Sequence, residues 1–350
     1  MLVLALALFS LTLTACRAKE TLYVLNWGEY MDLDLVREFE KEFNVRVVYE
    51  TVGSNEEMEL KIKQRITSYD IVIPSDYMID KLFQEGLLHP INKDLLPNYA
   101  NITFFDSALA LYADEPFGDY MIPYFFGTIG IMFNTSNPEV EAALFEEGIC
   151  ALFDPESPFN IGMYDSPRDA VGAALLCLGY YVNTTDEEEL AEAEALLRNA
   201  NFLRFGEDDL KGDVALGNLD MALVYSGDYF EMLFLYEEEE EEINFDFYNP
   251  IRTNIWIDAF VIPTTSQNVE LAHAFINFFL DIDIAVRNAD WVGYTPVIVE
   301  VFNYMVEELE YDYEHYYPQP EGSFREAYRF ISEAHSSRLN EILNRAKAGN

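Results

Sequence analysis

Four short stretches of this sequence set an aromatic ring beside a carboxylate: Trp27 with Glu29 and Tyr30, Asp76 with Tyr77, Tyr225 with Asp228, and Trp256 with Asp258. Tyr294 follows Gly293 in a fifth. A linear organic polycation asks for this combination. Each ammonium needs carboxylate oxygens, and a charge-assisted hydrogen bond is about twice as strong as a neutral one. The methylenes between ammonium groups need flat apolar walls, each buried CH₂ contributing about 0.8 kcal/mol. Aromatic faces also attract the cation, by about 0.5–2 kcal/mol per well-placed contact. Each residue alone has a plainer role. Among 26 Phe, 23 Tyr and 3 Trp, most rings belong to a core, and an Asp just after a strand commonly caps a helix. Convergence from five separated segments is what favours a binding site.

Apolar periodicity indicates which elements would bring those residues together. Leu22 to Trp27 reads as a buried strand, Leu33 to Phe43 as a helix with Leu33, Val36, Phe39 and Phe43 on one face, and Val45 to Thr51 as a β-branched strand. Ser54 to Glu57 has the spacing of a capping box that opens a helix to Arg65. Tyr69 to Pro74 is the next strand and Asp76 to Glu85 the next helix. This order predicts an α/β fold with a parallel sheet covered by helices, where ligands bind at the carboxyl ends of the strands. Asn26 to Tyr30, Gly53 to Asn55 and Pro74 to Tyr77 would line that edge.

Tyr120 to Phe126 and Ile129 to Asn134 read as further strands, after which the pattern restarts. Strand Asn160 to Tyr164, helices Pro167 to Tyr181 and Asp186 to Ala200, and strand Asp220 to Tyr225 with a helix running on to Tyr236 predict a second lobe. Glu237 to Glu242 is six consecutive glutamates, whose mutual repulsion predicts an exposed loop before the strand Asn244 to Tyr248. Ile255 to Ile262 is a strand carrying Trp256 and Asp258, and Val269 to Leu280 an apolar helix. From Ser323 the tail reads as a helix with Phe324, Tyr328, Ile331, His335, Leu339 and Ile342 on one buried face. No Pro-rich linker separates the lobes, so strands crossing directly, and a hinge, are expected.

The 350 residues include 63 acidic and 21 basic side chains, a formal net charge of −42. A phosphate-tracking surface needs clustered Lys and Arg, so nucleic acid is excluded as a partner. The aromatic content excludes disorder over most of the chain, and the length suits two domains. No Lys or Arg occurs between Lys93 and Arg168, and the acidic surplus predicts a field that gathers cations and that salt screens. Met1 to Ala15 is apolar but too short for a membrane helix of about 20 residues. It has the length of a signal-peptide core, and Leu13-Thr14-Ala15-Cys16 resembles a bacterial lipobox with Cys16 as the lipidated residue. Cys150 and Cys177 could pair in an exported protein or remain two buried thiols. The four His residues are scattered singly, and no zinc site is expected.

Six motifs, in one order from Thr21 to the final helix, resemble the bacterial spermidine/putrescine-binding proteins. They are NWGEY from Asn26, SNEEM from Ser54, YDIVIPSDYMIDKL from Tyr69, YSGD from Tyr225, WIDAFVIP from Trp256 and VGYTP from Val292. The resemblance implies a two-lobed periplasmic-binding-protein fold of type II that closes on a polyamine and delivers it to an ABC importer. It implies Trp27, Glu29 and Tyr30 as the first wall of the cleft and Ser75 with Tyr77 as the second, beside Asp76. Asp169 falls where the family has an acidic residue that grips an amine, with Ser166 at a neighbouring contact. Tyr225 stands where a Trp is common, and Asp228 matches the carboxylate of putrescine-preferring members. Trp256 and Asp258 match the central aromatic and the principal ammonium acceptor, and Tyr294 the far wall. Arg329 falls near a C-terminal polar contact of spermidine binders, with the wrong charge for a cation.

The expected organisation is a signal peptide over 1–16, one lobe from 20–126 and 252–297, and a second from 127–251 and 298–350. A monomeric binding protein is expected, not an enzyme, without cofactor or metal, anchored to the membrane through Cys16 and partnered by ABC permease subunits. Two alternatives use the same residues. The fold could hold iron, thiamine or a sugar, although the strand ends lack the Tyr and His set that iron calls for and the Asn, Gln and Arg that a sugar calls for. Paired carboxylates such as Glu29 and Asp258 could also serve a glycosidase-like acid and base.

Overall fold

The computed structural model describes residues 19–110, 112, 115–317 and 322–349. The expected signal peptide and Cys16 lie outside them. Strands Arg46–Val52, Thr21–Trp27 and Ile71–Val72 form a parallel sheet in that order. Leu22, Val24 and Leu25 are fully buried, the continuous apolar run that a sheet covered on both faces requires. The helix Leu33–Glu42 starts at Asp32, whose side chain accepts from the Asp34 N–H at 2.8 Å, and buries Leu35, Val36 and Phe39. Ser54 caps the helix Asn55–Gln64 by accepting from the Glu57 N–H.

A second sheet places Ile122–Gly127 between Trp256–Phe260 and Thr295–Pro296, all antiparallel. Its register sets Trp256 opposite Gly127 and Asp258 opposite Phe125, with an irregularity just after Asp258. An isolated bridge from Ser75 to Asp258 joins the two sheets. Val299–Glu307 packs on the helix Ile282–Val292 and on Thr295–Pro296. The other lobe is built on a mixed five-stranded sheet, in the order Phe245–Tyr248, Ile129–Asn134, Met221–Tyr225, Ile161–Tyr164 and Phe202–Gly206.

Only Thr128 separates Ile122–Gly127 in one sheet from Ile129–Asn134 in the other, so the chain passes between lobes without a linker. The crossing is braced by hydrogen bonds from the Thr128 N–H to Ser226 Oγ (3.3 Å), from the Ile129 N–H to Asn254 Oδ1 (2.9 Å) and from Thr253 Oγ1 to the Ile129 carbonyl (2.7 Å). In the tail the structure departs from the sequence expectation. Phe324–Glu326 is a strand paired in parallel with Arg252–Asn254, and the last helix begins only at Glu333. Backbone pairing with Arg252–Asn254 satisfies this segment, while Ile331, assigned to a buried face, is exposed. Local periodicity cannot register a partner strand so far back in the chain.

Cys150 and Cys177 form a disulfide. The glutamate run begins inside the helix Ser226–Glu238, and Glu239 to Glu242 leave it as exposed chain. No helix among the described residues is long and apolar enough to cross a membrane.

Candidate functional site

The strand ends meet between the lobes. Thr21–Trp27 ends in the turn Gly28–Tyr30, where Asn26 Nδ2 donates to the Tyr30 carbonyl (3.3 Å) and to the Tyr49 hydroxyl (2.8 Å). Tyr124 donates to the same carbonyl at 2.9 Å. These bonds fix Tyr30, which is buried, while Glu29 at φ 47° is exposed and stands outside the buried cluster. From Tyr30 the rings follow edge to face: Tyr30 to Tyr294 at 5.4 Å, Tyr294 to Trp256 at 5.5 Å, Trp256 to Tyr225 at 6.0 Å, and Tyr225 to Tyr164 at 5.1 Å. Two glycines make this spacing attainable. A Cβ on Gly127 would lie 2.5 Å from the Trp256 ring, and one on Gly227 2.2 Å from the Tyr294 ring.

Four buried carboxylates border the rings. Asp258 is pushed up to about 6 by burial, against the opposing influence of the Ser75 and Tyr30 hydroxyls. Asp76, the first residue of the helix Asp76–Gln84, is pushed up to about 7, chiefly by burial, with Arg329 pulling it down and the Asp258 charge raising it. Ser75, at the start of that helix, exchanges hydrogen bonds with Asn55 at 3.1 Å each way. Asp169 lies in the first turn of Pro167–Leu178, capped by Ser166, and accepts from the Tyr225 hydroxyl at 2.9 Å. Burial holds its carboxyl above the ordinary value, opposed by Ser166, Tyr225 and Arg168.

Asp228 differs from the others. The Tyr225 N–H donates to its Oδ2 at 2.9 Å, the Tyr294 hydroxyl lies 3.4 Å from Oδ1, and Lys211 Nζ lies 3.1 Å from Oδ1. Burial still pushes Asp228 up to about 6, with Lys211 the main opposing influence.

Several buried polar atoms of the cluster have no well-formed hydrogen bond: Asp258 Oδ1, Asp76 Oδ2, the Tyr30 and Tyr112 hydroxyls, and Trp256 Nε1. Trp27 Nε1, at its strand end, is in the same position. Such an atom costs about 1–3 kcal/mol when left unpaired. The Asp76, Asp258, Tyr30 and Tyr112 oxygens can all accept, and the electrostatics link Asp76, Asp258 and Tyr112 as neighbours. An alkylammonium has three N–H donors and no acceptor, the complement of this set.

Cations tie the lobes together beside the cluster. Arg168 stacks over the Tyr77 ring at 3.4 Å, Lys81 bridges Glu333 at 2.6 Å and Glu59 at 2.8 Å, and Arg329 lies 3.3 Å from Glu115. Glu59, Glu85 and Glu333 approach closely enough to suggest a metal site, but Lys63 and Lys81 already bridge them. Sequence reasoning missed Tyr112, which lies in an irregular turn, and Lys211, which comes from the short helix Asp209–Ala215. An amphipathic reading of 207–216 could have found the second.

Comparison with known proteins agrees with this architecture. Residues 34–310 match the family described as bacterial extracellular solute-binding protein. The spermidine/putrescine-binding periplasmic protein of Escherichia coli K12 is 30% identical over 99% of this chain and 97% of its own. Among solved structures, the spermidine/putrescine ABC transporter substrate-binding protein of Streptococcus pneumoniae is 32% identical with a TM-score of 0.77, over 95% of this chain and 99% of its own. A lipoprotein of Treponema pallidum is 28% identical with a TM-score of 0.75, over 93% and 99%.

Proposed function

The chain belongs to the bacterial extracellular solute-binding proteins, and on that premise we propose that it captures a polyamine, putrescine or spermidine, in the cleft between its lobes and presents it to an ABC importer. The observation that carries this reading is the cluster of buried oxygens without a well-formed hydrogen bond, Asp258 Oδ1, Asp76 Oδ2 and the Tyr30 and Tyr112 hydroxyls. A neutral sugar would bring hydroxyl donors and acceptors alike, whereas an ammonium brings donors only. Trp256, Tyr294 and Tyr225 supply the walls for the methylenes, and Asp169 on the other lobe a second anionic contact. Carboxylates contributed by both lobes repel across an open cleft and converge on a dication that bridges them, so the ligand selectively stabilises the closed state. The protein binds and hands over; it catalyses nothing.

A relative is named a periplasmic spermidine/putrescine-binding protein and a structural neighbour a lipoprotein, which supports an extracytoplasmic protein anchored through lipidated Cys16. Calorimetric titration of residues 19–350 with putrescine, spermidine, glycine betaine and maltose tests the ligand class. Heat from one or both polyamines alone is expected. Heat from maltose or glycine betaine alone would overturn the reading.

A further inference from the structure

Lys211 is a primary ammonium on four methylenes, and its side chain is 13% exposed. It reaches from the helix Asp209–Ala215 to Asp228 Oδ1 at 3.1 Å and to Glu231 Oε2 at 2.5 Å. With the Tyr225 N–H and the Tyr294 hydroxyl on the same carboxylate, both Asp228 oxygens already have partners. Lys211 thus makes with Asp228, beside the Tyr294 ring, the pairing that a ligand's ammonium would make. The side chains that act on Asp258 are instead the Ser75 and Tyr30 hydroxyls. An incoming ammonium that sought Asp228 would meet a like charge held at hydrogen-bond distance, and would have to displace it.

We infer that Lys211 is a specificity-determining residue: a tethered ammonium that withholds Asp228 from the ligand and limits the cleft to amines satisfied by Asp258, Asp76 and Asp169. This inference rests on the polyamine reading of the cleft. It also gives Asp228 a part distinct from the one its match to putrescine-preferring proteins implies. Here the carboxylate is held in reserve by the chain's own cation.

The test is K211M, which keeps the length and apolar stem of the side chain and removes its charge. Calorimetry with 1,3-diaminopropane, putrescine, cadaverine and spermidine compares wild type, K211M, K211M/D228N and K347M. Lys347 pairs with Asp165 at 2.6 Å on the surface, so K347M reports the effect of deleting one positive charge elsewhere. For K211M, affinity for at least one of the four amines should rise about tenfold, the value of one added charge-assisted hydrogen bond. The gain should vanish in K211M/D228N and be absent in K347M. Unchanged affinities in a folded K211M, with polyamines still bound, would overturn the role of Lys211 and leave the polyamine reading standing. An equal gain in K347M would overturn it too, as an effect of net charge alone. Failure of the wild type to bind any of the four amines would overturn both. Should circular dichroism show K211M unfolded, K211Q is held to the same outcomes.

Discussion

Asp258 and Asp228 are the same side chain in similar surroundings, 6% and 3% exposed, each raised to about 6 by burial beside the aromatic walls. Their partners differ. Asp228 is saturated by Lys211, a backbone N–H and a tyrosine hydroxyl, while Asp258 Oδ1 has no well-formed hydrogen bond. Burial and a raised pKa therefore do not by themselves mark a ligand's acceptor. What separates the two is an ammonium at hydrogen-bond distance: Asp228 has Lys211 there, and around Asp258 the acting groups are the Ser75 and Tyr30 hydroxyls.

Mutation should separate the two aspartates most sharply. D258N should weaken putrescine binding about 100-fold, from the loss of a charge-assisted acceptor worth about 1.5–3 kcal/mol together with the unpaired group it leaves behind. W256A, which removes a wall and a cation–π face, should cost about tenfold. D228N should change affinity least, about fivefold or less, but should lower stability by about 1–3 kcal/mol through the lost Lys211 pair and helix cap. Titration calorimetry and chemical denaturation of the three variants check that ranking. Equal binding losses in D258N and D228N would erase the distinction.

A smaller effect follows from pH. Asp258 and Asp228 near 6 and Asp76 near 7 all lie above the ordinary value of 3.8. Between about pH 4 and 7 the native ligand-free protein therefore holds protons that the unfolded chain has released. By linkage, these groups add stability as pH falls through that window and withdraw it as pH rises. Ligand reverses the sign, since an ammonium favours the ionised carboxylates. Putrescine affinity should fall about tenfold per unit below pH 6 for each carboxylate that must ionise. Denaturation midpoints with and without putrescine at pH 5 and pH 7.5 should converge at the lower value. A ligand-induced shift that is the same at both would contradict the ionic account.

What the sequence disclosed follows the range over which its patterns act. Trp256 and Asp258 stand two apart on a strand and share a face, so their joint place in the buried cluster was legible from spacing alone. The parallel βαβ start was legible from alternating periods, and the crossing strands from the missing linker. The partnership of Lys211 with Asp228 was not, because it joins two elements through side chains, and the helix that supplies Lys211 is only seven residues long. Glu29 looked equivalent to Asp258 in the motif NWGEY, yet its left-handed turn leaves it exposed. The strand Phe324–Glu326 was hidden because its partner, Arg252–Asn254, is remote in the chain.

Carbon-13 NMR of the aspartate carboxyls, titrated with and without saturating putrescine, tests the central claim most directly. Putrescine should pull the Asp258 midpoint down from about 6 by at least about one unit, while Asp228, already paired with Lys211, moves little. A large shift at Asp228 with Asp258 unchanged would contradict the assignment of Asp258 as the ligand's acceptor.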